Sequence, residues 1–153
     1  MPGYRGHLGG GVIAYGCLFA LIWSPQIALP LACEWFLFTL LGALFPDIDI
    51  KSKGRNVFYK ILLCIAAFLL YKQRILPLIW IGIISLLPLF VKHRGIFHSL
   101  FFLTILSLCA IFISMICLPS CSAIIAWDAL FFFAGAFSHL ILDFGFLKAL
   151  RVR

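Results

Sequence analysis

Acidic side chains are scarce in this chain. Glu34, Asp47, Asp49, Asp128 and Asp143 are all there are among 153 residues, and charged residues of both signs together make up only 11%. An ordinary soluble surface carries far more, since soluble domains average about 25% charged residues. What fills the gap is apolar: 65% of the residues are hydrophobic and the mean hydropathy is +1.18. A soluble core of this length has no use for so much apolar surface. Composition therefore predicts a polytopic membrane protein, with a length that suits one compact domain over residues 1–153.

Other things are missing as well. No repeat, low-complexity tract or soluble linker is visible, and the longest polar connection, residues 47–56, leaves no room for a separate soluble domain. No small-x-small cleavage site follows the basic start and first apolar run, so a cleavable signal peptide is not expected. None of the six cysteines forms a CxxC pair, and most sit inside apolar runs, where they read as small hydrophobes. Cys117 and Cys121 flank a Leu-Pro-Ser turn and would pair only if that turn faced an oxidising compartment. The net charge of +7 does not point to nucleic acid, because the lysines and arginines stand at the ends of apolar segments.

Six apolar segments remain: 8–23, 27–45, 57–71, 75–91, 100–118 and 123–147. Hydrocarbon offers a backbone no partner but itself, so each must be a helix. The expected fold is all-α, a membrane helical bundle of about six helices in three hairpins. Several segments are shorter than the ~20 residues of a full span, so some could re-enter, and 57–71 is the weakest. Hairpin parity fixes what shares a side. Each hairpin starts and ends where the N-terminus lies, which places His7, the 46–56 loop, the stretch HRGIFHSL (93–100) and the end of the last segment together. That side also holds Arg5, Lys51, Lys53, Arg55, Lys60, Lys92, Arg94, Lys148, Arg151 and Arg153, ten of the twelve basic residues, against Lys72 and Arg74 opposite. The positive-inside rule makes the ten-residue side cytoplasmic.

All four histidines and three of the five acids fall on that side. Asp47 and Asp49 form a DxD pair just beyond a helix that Pro46 helps to end, in an extended turn able to direct both carboxylates at one cation. His139 and Asp143 are four apart, on one face of the last helix. His93 and His98 are five apart, off any shared helix face, with Gly95 to turn the chain between them. His98 and Ser99 open the next helix, whose N-terminus, with Arg94 beside it, is an anion site. Seven ligands, His7, Asp47, Asp49, His93, His98, His139 and Asp143, exceed one tetrahedral ion and suit two that share a bridging carboxylate. Mixed His/Asp ligation without Cys fits Zn, Mn or Fe.

Plainer readings exist for each. His7 alone reads as a headgroup contact, Asp47 as a cap, and Asp49 with Lys51 as a solvated loop. His93 with Lys92 and Arg94 reads as a basic cluster on anionic lipid. Glu34 and Asp128, toward the opposite side, read as ordinary helix-end residues. His139 and Asp143, inside FFFAGAFSHLILDFGF, resist this treatment, although they could simply hydrogen-bond each other. The co-location of the whole set is the stronger signal.

GALFPDID, HRGIFHS and GAFSHLILD, with an early histidine in GHLGGG, resemble the YdjM-like inner-membrane proteins, described as metal-dependent hydrolases. The resemblance runs from His7 to Asp143 with the motifs in order, and HRG-x-x-HS is the most specific of them. It implies the same seven metal ligands. A more remote similarity to zinc-dependent phospholipase C and P1 nuclease implies phosphoester chemistry. The reading is a membrane-embedded metal-dependent hydrolase of the inner membrane, with two divalent ions, zinc foremost, and a phospholipid or lipid-linked phosphate as substrate. Arg94, Asp49 and His98 are the catalytic candidates, with Ser99 or Ser138 orienting a ligand or the substrate. The alternative is a metal-ion or proton transporter, which would need a polar route continuing past Glu34 and Asp128.

Overall fold

The computed structural model describes residues 3–48, 52–73 and 96–145, with the isolated positions 75, 78, 81, 82, 85 and 86 between them. The described chain is helical throughout. In order come α1 (Tyr4–Ile22), α2 (Leu29–Leu44), a single 3-10 turn (Phe45–Asp47), α3 (Lys53–Tyr71), α4 (Leu100–Cys117) and α5 (Ser122–Phe144). Among the described residues, these are five helices long and apolar enough to cross a membrane. The sixth expected segment, 75–91, lies largely outside the described residues, although Ile75, Leu78 and Ile81 are helical.

Local chemistry sets the ends. Pro30 sits in the first turn of α2, where a missing N–H costs nothing. Pro46 cannot supply the next helical N–H, so α2 stops at Leu44 and the chain tightens into the 3-10 turn. Asp47 therefore leaves the helix on a tight turn and not on the extended one expected. Ser52 caps α3 by accepting from the Arg55 N–H at 3.2 Å. That cap recruits a polar first turn, so the segment read as the weakest begins at Lys53 and reaches 19 residues. Ser99 caps α4 in the same way, from the Phe102 N–H at 3.4 Å. Gly145 takes φ +77 and closes α5 one residue beyond Phe144.

α5 is the central helix, packing against α1, α2 and α4, and α2 also packs against α1 and α3. The α2–α5 contact is the closest. A Cβ on Gly42 would collide with the Phe132 carbonyl, and one on Gly135 with the Thr39 carbonyl. Lipid supplies no hydrophobic drive between helices, so backbones this close are held by van der Waals contact across small residues. Gly11 lets α1 approach as tightly, with Ala43 facing it. Below these contacts Phe45 meets Phe58, Phe97 and Phe132 with ring centroids 5.2–6.2 Å apart. Phe45, Phe58 and Phe97 are fully buried. Cys117 and Cys121 are both free thiols.

Candidate metal centre

Four chain segments meet at one end of the bundle: the first turn of α1, the turn after α2, the residue before the cap of α4 and the last turn of α5. They carry His7, Asp47, His98 and the pair His139 and Asp143. Hairpin parity required this meeting. His7 stands inside α1 and is 1% exposed, so it is no headgroup contact.

Each of the three described histidines faces both Asp47 and Asp143. His7 Nε2 lies 4.0 Å from Asp47 Oδ2 and 3.6 Å from Asp143 Oδ1. His98 Nε2 lies 3.4 Å from Asp47 Oδ1 and 3.8 Å from Asp143 Oδ2. His139 Nε2 lies 3.8 Å from Asp47 Oδ1 and 3.3 Å from Asp143 Oδ2. These separations exceed good hydrogen bonds, which run to about 3.2 Å. The two shortest, 3.3 and 3.4 Å, match donors sharing an ion, since tetrahedral bonds of about 2.0–2.1 Å put ligands ~3.3–3.4 Å apart, and the other four are longer.

Proton bookkeeping at His139 supports the same reading. Its Nδ1 lies 2.8 Å from the Ala43 carbonyl. A carbonyl has no proton to give, so Nδ1–H donates, and in the neutral ring Nε2 keeps its lone pair. A lone pair aimed at two carboxylates is repelled unless a cation lies between. His139 Nε2, His7 Nδ1 and Asp143 Oδ1 are buried with no hydrogen-bond partner, and buried groups are seldom left so. The bland alternative, a hydrogen bond between His139 and Asp143, is not formed. The Ala43 contact is the outer partner that metal-bound histidines regularly have, fixing tautomer and ring orientation.

Ring geometry bears on how many ions fit. His7 and His139 stack at 3.7 Å with planes 14° apart, so their lone pairs lie in nearly parallel planes. A point shared equally between them would stand about 60° out of each ring plane at normal bond lengths. Two adjacent points suit these rings better than one. His98 meets His139 edge-on, with 69° between the planes, and the two can converge. Two overlapping donor triads result, His7–His139–Asp143 and Asp47–His98–His139.

Access is one-sided. The side chains of His7, His139 and Asp143 are 0–3% exposed, whereas His98 is 17% and Asp47 26%. A ligand from outside would arrive over Asp47 and His98, beside the N-terminus of α4.

Of the seven expected ligands, these five come together. Asp49, His93 and Arg94 lie outside the described residues. Both serines are engaged locally: Ser99 accepts from the Phe102 N–H in capping α4, and the Ser138 hydroxyl donates to the Gly135 carbonyl at 2.7 Å. What the pattern of ionisable residues missed is the small residue one turn from the ligands: Gly11 after His7, Ala43 before Asp47, Gly135 before His139. Their fourfold spacing was present in the sequence. Glu34 and Asp128 are 5% and 6% exposed, so they are buried and not ordinary helix ends.

No curated protein and no solved structure matches the chain. A family model does, over residues 1–147, nearly the whole length, and it covers all the motifs that meet at this centre. With several helices of membrane-spanning length and composition, the chain belongs to the YdjM inner membrane protein family.

Proposed function

We propose that this chain is a membrane-embedded metal-dependent hydrolase that cleaves a phosphoester, of a phospholipid or a lipid-linked phosphate, at the cytoplasmic membrane interface. One observation carries the reading: three imidazole nitrogens and two carboxylates aim at one another at 3.3–4.0 Å, and His139 Nε2 among them is buried with no hydrogen-bond partner. Such a donor set suits divalent zinc, with manganese or iron next. His7, His139 and Asp143 would hold one ion through the single free nitrogen of His139, and Asp47 and His98 a second, with a carboxylate shared between the two. Ions bound there supply Lewis acidity toward a phosphoryl oxygen and acidify water.

The chain's own groups do the rest. Buried His7, His139 and Asp143 fix the inner wall, and the half-open Asp47 and His98 leave the outer face to the substrate. The α4 N-terminus adds free N–H groups and the positive end of a helix dipole where a phosphate would dock. Arg94, close in sequence, would grip that phosphate with its two-pronged donor set. The buried aromatic layer around Phe45 keeps water from reaching the donors from the membrane side. The ten-to-two split of basic residues supports the cytoplasmic orientation.

The test is direct. Purified protein is assayed for metal content and for phosphate or phosphorylated headgroup released from a lipid panel. At least one transition metal per chain and turnover on a phosphoester are expected. A metal-free preparation with no turnover after reloading would defeat the reading. Transport is kept as the second reading because Glu34 and Asp128 are buried, which a route across the bundle would need. Metal or proton flux in proteoliposomes, without hydrolysis, would favour it.

A further inference from the structure

We propose that the start of α1, Tyr4–Leu8, is an arm hinged at Gly9, which swings out to admit the inner ion and is latched shut by His7 once that ion is bound. This rests on the metal centre proposed above.

α1 is held unevenly along its length. Its lower half is tied in by Tyr15, whose hydroxyl donates to the Ala32 carbonyl at 3.0 Å. The Tyr15 ring meets Phe19, Phe36 and Phe131 with centroids 5.1–5.6 Å apart. The upper half has less to hold it. Tyr4 and Leu8 pack half-buried on the edge of the core, and His7 and Gly11 are the buried residues of the helix. Four of the six residues from Gly6 to Gly11 are glycine, and each disfavours the helix about fivefold relative to alanine. Gly3, at the N-cap, has no side chain to satisfy the first amides. The first turn carries Arg5 and no acid, the wrong charge for the positive end of a helix dipole.

Two of the glycines have a packing reason. A Cβ on Gly10 would come within 2.6 Å of Leu142 Cδ1, and one on Gly11 within 2.9 Å of the Ala43 Cβ. Gly9 has no such reason. It is exposed, and nothing lies within 4 Å of a Cβ built there. Inside a helix its effect is to weaken the backbone, and it does so where the anchored half gives way to the unanchored one. Opening can stop there. At the membrane surface water replaces the backbone hydrogen bonds an opening arm gives up, and hydrocarbon deeper down would not.

His7 supplies the latch. In the closed arm its ring is 1% exposed and stacks on His139 at 3.7 Å. Its Nδ1 has no hydrogen-bond partner. Its Nε2 stands 3.6 Å from Asp143 and 4.0 Å from Asp47, beyond a good hydrogen bond. Burying an imidazole on those terms is unfavourable, and coordination shared with His139 and Asp143 is what makes the closed position favourable. The same ring hides the inner donors, since the side chains of His139 and Asp143 are 0% and 3% exposed. An ion arriving over Asp47 and His98 meets those donors first, whereas lifting the arm uncovers the inner ones directly. Because His7 completes the inner donor set only when the arm is closed, metal affinity and closure are linked.

The probe is zinc alone, added to the full chain in lipid nanodiscs, with amide hydrogen exchange read by peptide mass spectrometry. Zinc should slow exchange over residues 7–11 at least tenfold relative to the chelated protein and leave residues 15–22 unchanged. Gly9→Ala strengthens the hinge without touching the donors. It should slow exchange over residues 7–11 of the chelated protein about fivefold, and slow zinc loss to a chelator by the same factor at unchanged zinc content. His7→Ala should make exchange over residues 8–11 the same with and without zinc. Exchange indifferent to zinc in a wild-type protein that retains it would overturn the proposal. Zinc loss from Gly9→Ala at the wild-type rate would also overturn it and place entry over Asp47 and His98. A wild type that retains no transition metal would discard the metal centre and the latch together. Zinc-dependent protection without turnover on any phosphoester would keep the arm and discard the hydrolase.

Discussion

Replacing Gly11 with alanine tests whether helix spacing tunes the metal centre. The new Cβ would stand 2.9 Å from the Ala43 Cβ and 3.5 Å from Leu40 Cδ2. Carbon atoms rest at about 3.5–4.0 Å, so α1 must retreat from α2 by ~0.6–1.1 Å. His7 lies one turn away on the same face of α1 and moves with it. Its Nε2 already stands 3.6 and 4.0 Å from the two carboxylates, and metal sites tolerate errors of only about 0.2 Å in ligand distance. A displaced but present ligand should weaken metal binding by roughly 10–100-fold, the scale on which disturbed supporting contacts act. The stability cost should be modest, about 1–3 kcal/mol for overpacking. Chelator competition on purified protein measures the affinity, and a thermal melt of the apoprotein measures the fold. The double variant Gly11→Ala, Ala43→Gly removes the obstructing methyl and should recover most of the affinity, although the second glycine costs the helix about 1 kcal/mol. Wild-type affinity in Gly11→Ala, or a well-folded double variant no better than the single one, would refute the spacing argument.

His139→Ala should cost at least one ion in elemental analysis, because it removes a nitrogen that either donor triad can draw on; full content in that variant would remove it from the ligand set. A cysteine added after Arg153 should be reached by a membrane-impermeant maleimide only once the cytoplasmic face is opened, and labelling from outside intact cells would reverse the orientation. Arg94→Lys should keep metal and fold yet lose on the order of 100-fold in rate, since lysine lacks the two-pronged donor set, while Lys92→Ala should be nearly silent. Gly135→Ala should lower the melting temperature more than Gly11→Ala does. Its Cβ would meet the Thr39 carbonyl, backbone that cannot swing aside; an equal or higher melting point would show that α2 and α5 separate at little cost.

The membrane class, the hairpin parity and the grouping of His7, Asp47, His98, His139 and Asp143 were legible because each depends on a one-dimensional pattern. Apolar run length sets the helices, and an even number of crossings returns the ends to one side. The start of α3 was misread because apolar residues begin at Val57, whereas the Ser52 cap starts the helix at Lys53. Capping is a local hydrogen bond that hydropathy does not record. Glu34 and Asp128 were misread for a different reason. Their places near segment ends suggested exposure, but Trp35 stacks on Phe131 at 5.0 Å and packs on Trp127 at 5.6 Å. That clustering seals the α2–α5 seam around both acids, and only tertiary packing reveals it. The Ala43 carbonyl that orients His139 was illegible for a third reason: backbone groups are identical in every sequence, and only the close approach permitted by Gly135 brings this one within reach.

The same aromatic layer separates the two functional readings. Asp128 stands one turn from Phe132 on α5, and Glu34 lies three turns before Phe45 on α2. Between those acids and the donor cluster stand Phe45, Phe58 and Phe97, all at 0% exposure. A cation passing from one polar zone to the other would have to part rings packed edge to face, and the buried Thr39 hydroxyl on the way is already donated to the Trp35 carbonyl at 2.8 Å. For conduction the layer is an obstacle that some second conformation must remove. For hydrolysis it is an asset at rest. It keeps one wall of the donor cluster dry, where attraction between a cation and Asp143 is stronger than in water, and among the described residues it leaves Asp47 and His98 as the partly open donors. A centre sealed from below and open at one face suits a reaction whose substrate arrives and leaves on the same side.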